Sequence, residues 1–260
     1  KVNATLELCW RINATVQIER FNKRISRLPS MSTSAIFSDI IGHEPIIRVL
    51  NHALAKPAHG YLFCGPRGVG KGTIAERFVG GLLGYTSHIT HHASSESETV
   101  PPHDASRVMR DAWLFSHPDF IRIIREEGAR EIVVKQAREL IARMQLTSAR
   151  GGYKIALIEE ADRLNEEAAN ALLKAVEEPS ANTVYIFLAE QPDRLPATLR
   201  SRLVKMEFGR VPTKTIEGWL SEHVSRITHH ASLAEQSRGC PGIAFHLAFD
   251  EERSWHQEFD

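Results

Sequence analysis

The run Gly65-Pro-Arg-Gly-Val-Gly70-Lys71-Gly72-Thr73 sets three glycines ahead of a lysine, between a short apolar stretch and a helix-forming one. Glycines let backbone N–H groups turn inward around phosphate oxygens. The lysine neutralises charge on the β- and γ-phosphates, and the start of the following helix presents its positive end. The strand–loop–helix context is the one a phosphate-binding loop requires. It makes Gly65, Gly68, Gly70, Lys71, Gly72 and Thr73 the candidate nucleotide contacts. A Gly-rich turn that holds no ligand is the alternative, and the full match of the context argues against it. One position departs from the pattern. The residue after the lysine, where a Ser or Thr hydroxyl would hold Mg²⁺, is Gly72, and Thr73 comes one position later, on another side of the helix. ATP binding is therefore expected, while the missing hydroxyl puts productive Mg²⁺ coordination in question.

The second constellation is Lys154-Ile-Ala-Leu-Ile158-Glu159-Glu160-Ala161-Asp162. A buried strand ending in acids places carboxylates beside the phosphate loop, at the carboxyl end of a parallel sheet. In ATPases of this type one acid holds Mg²⁺ and the next polarises the attacking water, roles that fall here to Glu159 and Glu160. Glu159 stands where Asp is usual, and its extra methylene shifts the carboxylate by more than ~1 Å, enough to matter in catalysis. An acidic helix start would satisfy the macrodipole equally well, and only the upstream loop decides for the ATPase-type reading. The third constellation is Thr198-Leu-Arg200-Ser201-Arg202-Leu203. Arg200 and Arg202 share a side if this stretch is extended and nearly oppose each other if it is helical. Such an arginine can stabilise the transition state at a neighbouring subunit's γ-phosphate; two solvated surface arginines are the default.

These residues need a scaffold, and the hydrophobic pattern predicts one. Apolar runs at 60–64, 120–124, 153–158, 184–188 and 204–208 read as strands, and runs at 74–83, 133–144, 166–176 and from 213 onward as helices. Strands alternating with helices imply an α/β fold, a parallel sheet covered on both faces. Residues 84–119 read as a long loop rich in His, Ser and Pro, with a short helix at 106–114. Near the amino end Leu6, Leu8, Trp10, Ile12, Val16 and Ile18 alternate. They form either a half-buried strand or translated upstream sequence, with Met31 as the start in the second case.

Composition narrows the function. Lys plus Arg and Asp plus Glu both number 32, so the formal charge is zero, without the basic excess of a chain that grips DNA phosphates alone. The three cysteines, Cys9, Cys64 and Cys240, are scattered with no CxxC pair, which excludes a zinc ribbon and a disulfide framework. No segment approaches the ~20 apolar residues of a membrane span, and 1–20 lack a signal-peptide apolar core; a cytoplasmic protein is expected. The repeated Ile-Thr-His-His-Ala-Ser at 89–94 and 227–232 carries paired histidines with no acid or cysteine at ligand spacing. No metal site is expected there. Trp113, Trp219 and Trp255 read as core or interface anchors.

Taken together, several stretches resemble one family. Phe37-Ser-Asp-Ile-Ile-Gly-His-Glu44, His117-Pro-Asp-Phe120, Gly152-Tyr-Lys154 and Ala161-Asp-Arg-Leu-Asn165 look like the P-loop AAA+ subunits of bacterial DNA polymerase III clamp loaders, the delta-prime kind in particular. Asn170-Ala-Leu-Leu-Lys-Ala-Val-Glu-Glu-Pro179 is the most specific of them, and Pro192-Asp-Arg-Leu-Pro196 with Ser201-Arg202 completes the run. The resemblance is strong over 37–208 and continues weakly into Gly239-Cys-Pro-Gly-Ile-Ala244, similar to a small helical lid. It implies an AAA+ domain at 31–210 after an extension at 1–30, then an incomplete helical lid at 211–260 with the collar domain absent.

The resemblance further implies a stationary subunit that supports ATP-dependent loading of the sliding clamp in DNA replication. Its partners would be the gamma/tau and delta subunits, the clamp, and primer-template DNA through the assembled complex. Departures point the same way. The loop at 84–116 lacks the family's zinc cysteines, Ala189-Glu190 replaces a phosphate-sensing Thr or Asn, and Pro241-Gly242 stands where motor subunits carry a sensor arginine. Arg202 would then act in trans as an arginine finger, with Lys71 at most holding a nucleotide statically. The alternatives are an active gamma/tau-type ATPase and a nucleotide-independent AAA+ interaction module.

Overall fold

Successive side chains of a strand point to opposite faces of its sheet, so strands covered on both faces must be apolar at every position. The segments at 60–64, 154–158 and 183–189 are buried throughout, whereas 120–123 and 204–207, the two edge strands, keep exposed positions. The computed structural model describes residues 35–84, 114, 116–224 and 229–248. In it β1 (Gly60–Cys64), β2 (Phe120–Ile123), β3 (Lys154–Ile158), β4 (Thr183–Ala189) and β5 (Val204–Glu207) form a parallel sheet in the order β2-β3-β4-β1-β5. Tyr61, Phe63, Leu157 and Ile186 on one face meet Leu50, Ile74 and Phe78 of helices α1 (Glu44–Ala53) and α2 (Lys71–Leu82). On the other face Leu62, Ile121, Ala156 and Phe187 meet Leu140 and Leu172 of α3 (Val134–Gln145) and α4 (Glu166–Glu177). The α/β reading is thus found, with each strand within a residue or two of its expected limits. The helix expected at 106–114 lies outside the described residues except for Leu114, and the strand expected near the amino end lies wholly outside them.

Local chemistry sets the helix starts. Asn165 Oδ1 accepts the Ala168 N–H at 2.9 Å, an N-cap, and Glu166 and Glu167 follow in the first turn, where the helix dipole favours acids. Helix α2 has Gly70 at its N-cap and no side-chain cap. Its first N–H groups therefore face the cavity described below without a capping side chain. A short helix α5 (Ala197–Arg200) precedes β5, and beyond that strand come α6 (Thr213–His223), α7 (His230–Gln236) and α8 (241–248). Val211, Ile216, Leu220, Leu233 and Ala244 form a third core cluster, against which Trp219 is partly buried.

Asp119 ties together the strands that carry the acids. Its side chain accepts the Ala149 N–H at 2.8 Å, the Ser148 hydroxyl at 3.0 Å and the Arg150 N–H at 3.1 Å. Its backbone carbonyl accepts the Ile155 N–H at 2.8 Å. Burial alone would raise its pKa, but the three donors outweigh burial and hold it below the usual carboxylate value. A depressed folded-state pKa stabilises the fold in full above the unfolded value of 3.8. That contribution is lost as pH falls through the folded-state value. Asp119→Ala is expected to cost about 1–3 kcal/mol at neutral pH. Urea unfolding should show the gap from wild type closing once the pH falls below that range.

Candidate nucleotide site

The phosphate loop leaves β1 at its carboxyl end and enters α2, so its backbone is fixed at both sides. Gly65 donates its N–H to Ala189 O of β4 at 3.2 Å. A Cβ at Gly65 would lie 2.5 Å from the Phe208 carbonyl oxygen, so only glycine lets the loop pass this close to the residue that follows β5. Gly68 has φ 74 and Gly70 φ 111, backbone states that glycine adopts at little cost. The Lys71 ammonium lies inside the loop, donating to Gly65 O at 2.7 Å and Pro66 O at 2.9 Å. Burial lowers its pKa, and Glu190 and Asp162 work against that shift.

The loop borders a cavity of about 450 Å³. Gly68, Gly70, Lys71, Gly72, Thr73, Glu159 and Glu160 all line it. Gly65 contributes through the Lys71 contact rather than the lining. Thr73, expected to face elsewhere, also lines the cavity, because it lies in the first turn of α2, where successive residues still border the helix mouth. The second wall comes from far along the chain: Asp39, Ile40, Ile41 and His43 before α1, and Trp219, Pro241 and Phe245 from the carboxyl-terminal helices. The Arg77 guanidinium pairs through two nitrogens with Asp39, and His43 Nε2 lies 2.9 Å from Val69 O. The amino-terminal wall is thereby fixed to the loop and to α2. Opposite, the Gly242 N–H donates to Gly68 O at 2.8 Å, and a Cβ on Gly68 would lie 2.7 Å from Ile243 Cγ1. The start of α8 thus rests directly on the loop.

Glu159 and Glu160 follow β3 and line the cavity, but they are not alone. Glu159 Oε1 lies 2.5 Å from Arg122 Nε, and Glu160 Oε2 lies 2.7 Å from Arg125 Nε. Sequence reasoning missed both arginines. The signal available was an arginine inside the otherwise apolar Phe120-Ile-Arg-Ile123, next to a strand that ends in carboxylates. Glu160 itself adopts φ 47, a left-handed turn that sends the chain away after β3. At the expected sensing position, Ala189 closes β4 and Glu190 follows, its N–H donating to Asp162 Oδ1 at 3.2 Å.

Arg202 belongs to a different place. It follows α5 and precedes β5, at the amino-terminal end of the sheet, and a Cβ on Gly60 would lie 3.9 Å from its carbonyl oxygen. Gly60 and Cys64 are four residue steps apart along β1, roughly 13 Å at strand rise, so Arg202 is remote from its own phosphate loop. Its guanidinium pairs with Glu177 Oε1 at 2.5 Å and donates to Thr198 O at 2.7 Å. Arg200 instead pairs with Asp193 at 2.5 Å, so the two arginines reach different partners, as a helical turn between them requires.

Among the described residues no cluster of His, Cys, Asp or Glu has metal-site geometry, and no helix is long and apolar enough to cross a membrane. Of the paired histidines, 91 and 92 lie outside the described residues. His229 is exposed, whereas His230 is partly buried with Nε2 2.8 Å from Val224 O. His230 is covered there because α7 packs back on α6.

A parallel five-stranded sheet of this order, with a phosphate loop at the end of its β1, defines a P-loop AAA+ module. Its fold matches that of the Thermotoga maritima RuvB Holliday junction branch migration motor at TM-score 0.55. Identity is 19%, over 80% of this chain and 61% of that one, a likeness of fold alone. Residues 42–212 match the family model described as DNA polymerase III, delta subunit, and the chain belongs to that family. DNA polymerase III subunit delta′ of Pseudomonas aeruginosa is 37% identical over 151 residues, 58% of this chain and 43% of that protein. The Escherichia coli delta′ subunit is 36% identical over 142 residues, 54% of this chain and 42% of that protein. The Salmonella typhimurium tau subunit is 30% identical over 197 residues, 75% of this chain and 28% of that protein. The chain spans less than half the length of each of these relatives.

Proposed function

We propose that the chain is the AAA+ part of a delta-prime-like stator, a non-hydrolysing clamp-loader subunit that supports ATP-driven loading of the sliding clamp onto primed DNA. The observation that carries this reading is that both acids needed for hydrolysis are held in ion pairs, Glu159 by Arg122 and Glu160 by Arg125. A paired carboxylate is a weaker metal ligand and a weaker base than a free one. Gly72 removes the hydroxyl that would share the metal. The remote position of Arg202 supports a role for it in trans, at the nucleotide of an adjacent gamma/tau subunit. The delta subunit, the clamp and primer-template DNA follow as partners of the assembled complex, in the cytoplasm. The domain limits that fit this reading are 31–210 for the nucleotide module and 211–260 for the lid.

Assembly and turnover test it. Mixed with gamma/tau and delta subunits, the protein should enter one complex on size exclusion, while alone it should release phosphate from ATP at background rate. Robust turnover alone would favour the gamma/tau-type motor, which the intact loop and buried Lys71 otherwise support. Failure to assemble would favour an AAA+ interaction module of another system. Restoring the hydroxyl is not expected to create a motor. A Cβ at Gly72 meets nothing within 4 Å, so Gly72→Thr fits. Its phosphate release should nonetheless stay within about threefold of background, because the two acids remain paired. A rise of tenfold or more would contradict this.

A further inference from the structure

We infer that the cavity takes a nucleoside diphosphate without a divalent cation, with Arg122 supplying the positive charge that a metal would bring. The inference rests on the nucleotide reading of the phosphate loop and goes beyond it in naming the ligand's ionic state.

The residues present do not fit Mg²⁺. That ion demands near-octahedral oxygen ligands at about 2.0–2.1 Å. In a P-loop site it takes a hydroxyl from the residue after the lysine and a carboxylate from the acidic strand. Residue 72 is glycine and offers no hydroxyl. The carboxylate that ends the acidic strand, Glu159, is held by Arg122 at 2.5 Å, with the two side chains only 24% and 29% exposed. A cation must displace a guanidinium before it can bind there.

The arginine is placed by strand register rather than by a loop. Arg122 of β2 lies opposite Leu157 of β3. Glu159 is two residues beyond Leu157, so it returns to the same face of the sheet as a diagonal neighbour. Both side chains line the cavity that also holds the phosphate loop. A guanidinium is a fixed fork of donors that recognises phosphate as readily as carboxylate and carries charge at every physiological pH. Here it is paired with the acid that ends β3 and lines the same cavity as Lys71 and the uncapped start of α2.

Charge then selects the ligand. Glu160, Asp162 and Glu190 line the same cavity. Glu160 is paired with Arg125, but without a cation in between, each further phosphate charge is repelled by Asp162 and Glu190. A diphosphate satisfies the loop and Lys71 with less of that repulsion than a triphosphate.

Calorimetric titration of the full chain with ADP and with ATP, in excess EDTA and in Mg²⁺, tests this. The expected result is ADP affinity in EDTA within about twofold of that in Mg²⁺, and ATP binding weaker than ADP in EDTA. Arg122→Gln, its fold checked by circular dichroism, should weaken ADP in EDTA by about tenfold. The Arg122→Gln/Gly72→Thr pair should bind ADP better with Mg²⁺ than without. ADP binding that needs Mg²⁺ in the wild type would overturn the inference and leave the nucleotide reading standing. No binding of either nucleotide in either buffer would overturn both. Unchanged ADP affinity in Arg122→Gln would remove that residue from the account.

Discussion

Phe63→Ala is expected to lower stability by about 3–5 kcal/mol, the cost of deleting a fully buried ring and leaving its cavity. Phe63 is completely buried on β1, which lies between β4 and β5. Its ring lies 6.4 Å from Tyr61 and 5.2 Å from Phe208, and the Phe208 carbonyl is the atom that presses on Gly65. Removing the ring thus loosens both the core and the base of the phosphate loop. For a domain of this size the loss corresponds to roughly 6–20 °C in Tm, a large part of the ~5–15 kcal/mol typical of whole domains. Thermal and urea unfolding should agree on that figure, and nucleotide affinity should fall with it. A change under about 1 kcal/mol would mean that β1 repacks without its central ring.

What was legible in the sequence was local. Gly-Tyr-Leu-Phe-Cys at 60–64 is apolar throughout, bounded by Pro57 and a glycine loop, and it forms β1 over the expected residues. The loop after it is defined by residue type and spacing alone, so Lys71 and its glycines were readable without a structure. The restraint on the acids was not. That Glu159 meets Arg122 depends on β2 pairing with β3 in one register, a relation between residues 37 positions apart in the chain. The same holds for the Glu177–Arg202 pair and for the contact of Gly242 with Gly68, which join elements that local periodicity cannot relate. His230 makes the point in reverse: its repeat looks identical to that at 89–94, yet its burial comes from the neighbouring helix.

The second large effect lies at Arg202. An arginine that stabilises a transferring phosphoryl group from a neighbouring subunit is worth on the order of 10³-fold or more in turnover at the site it completes. In this chain Arg202 sits at the end of the sheet opposite its own phosphate loop and is held by Glu177 and the Thr198 carbonyl, with 37% of its side chain exposed. An intramolecular pair of that exposure contributes no more than about 1 kcal/mol to stability, so Arg202→Ala should leave the fold intact and remove only the proposed finger. Arg202→Lys should rescue little, because an ammonium lacks the planar fork of donors.

The measurement that bears most directly on the stator reading is primer-template-stimulated ATP hydrolysis. It requires a complex reconstituted from this protein with gamma/tau and delta subunits, comparing wild type with Arg202→Ala. The account predicts a large loss of turnover while size exclusion shows the assembly unchanged. Unchanged turnover in an intact Arg202→Ala complex would contradict it.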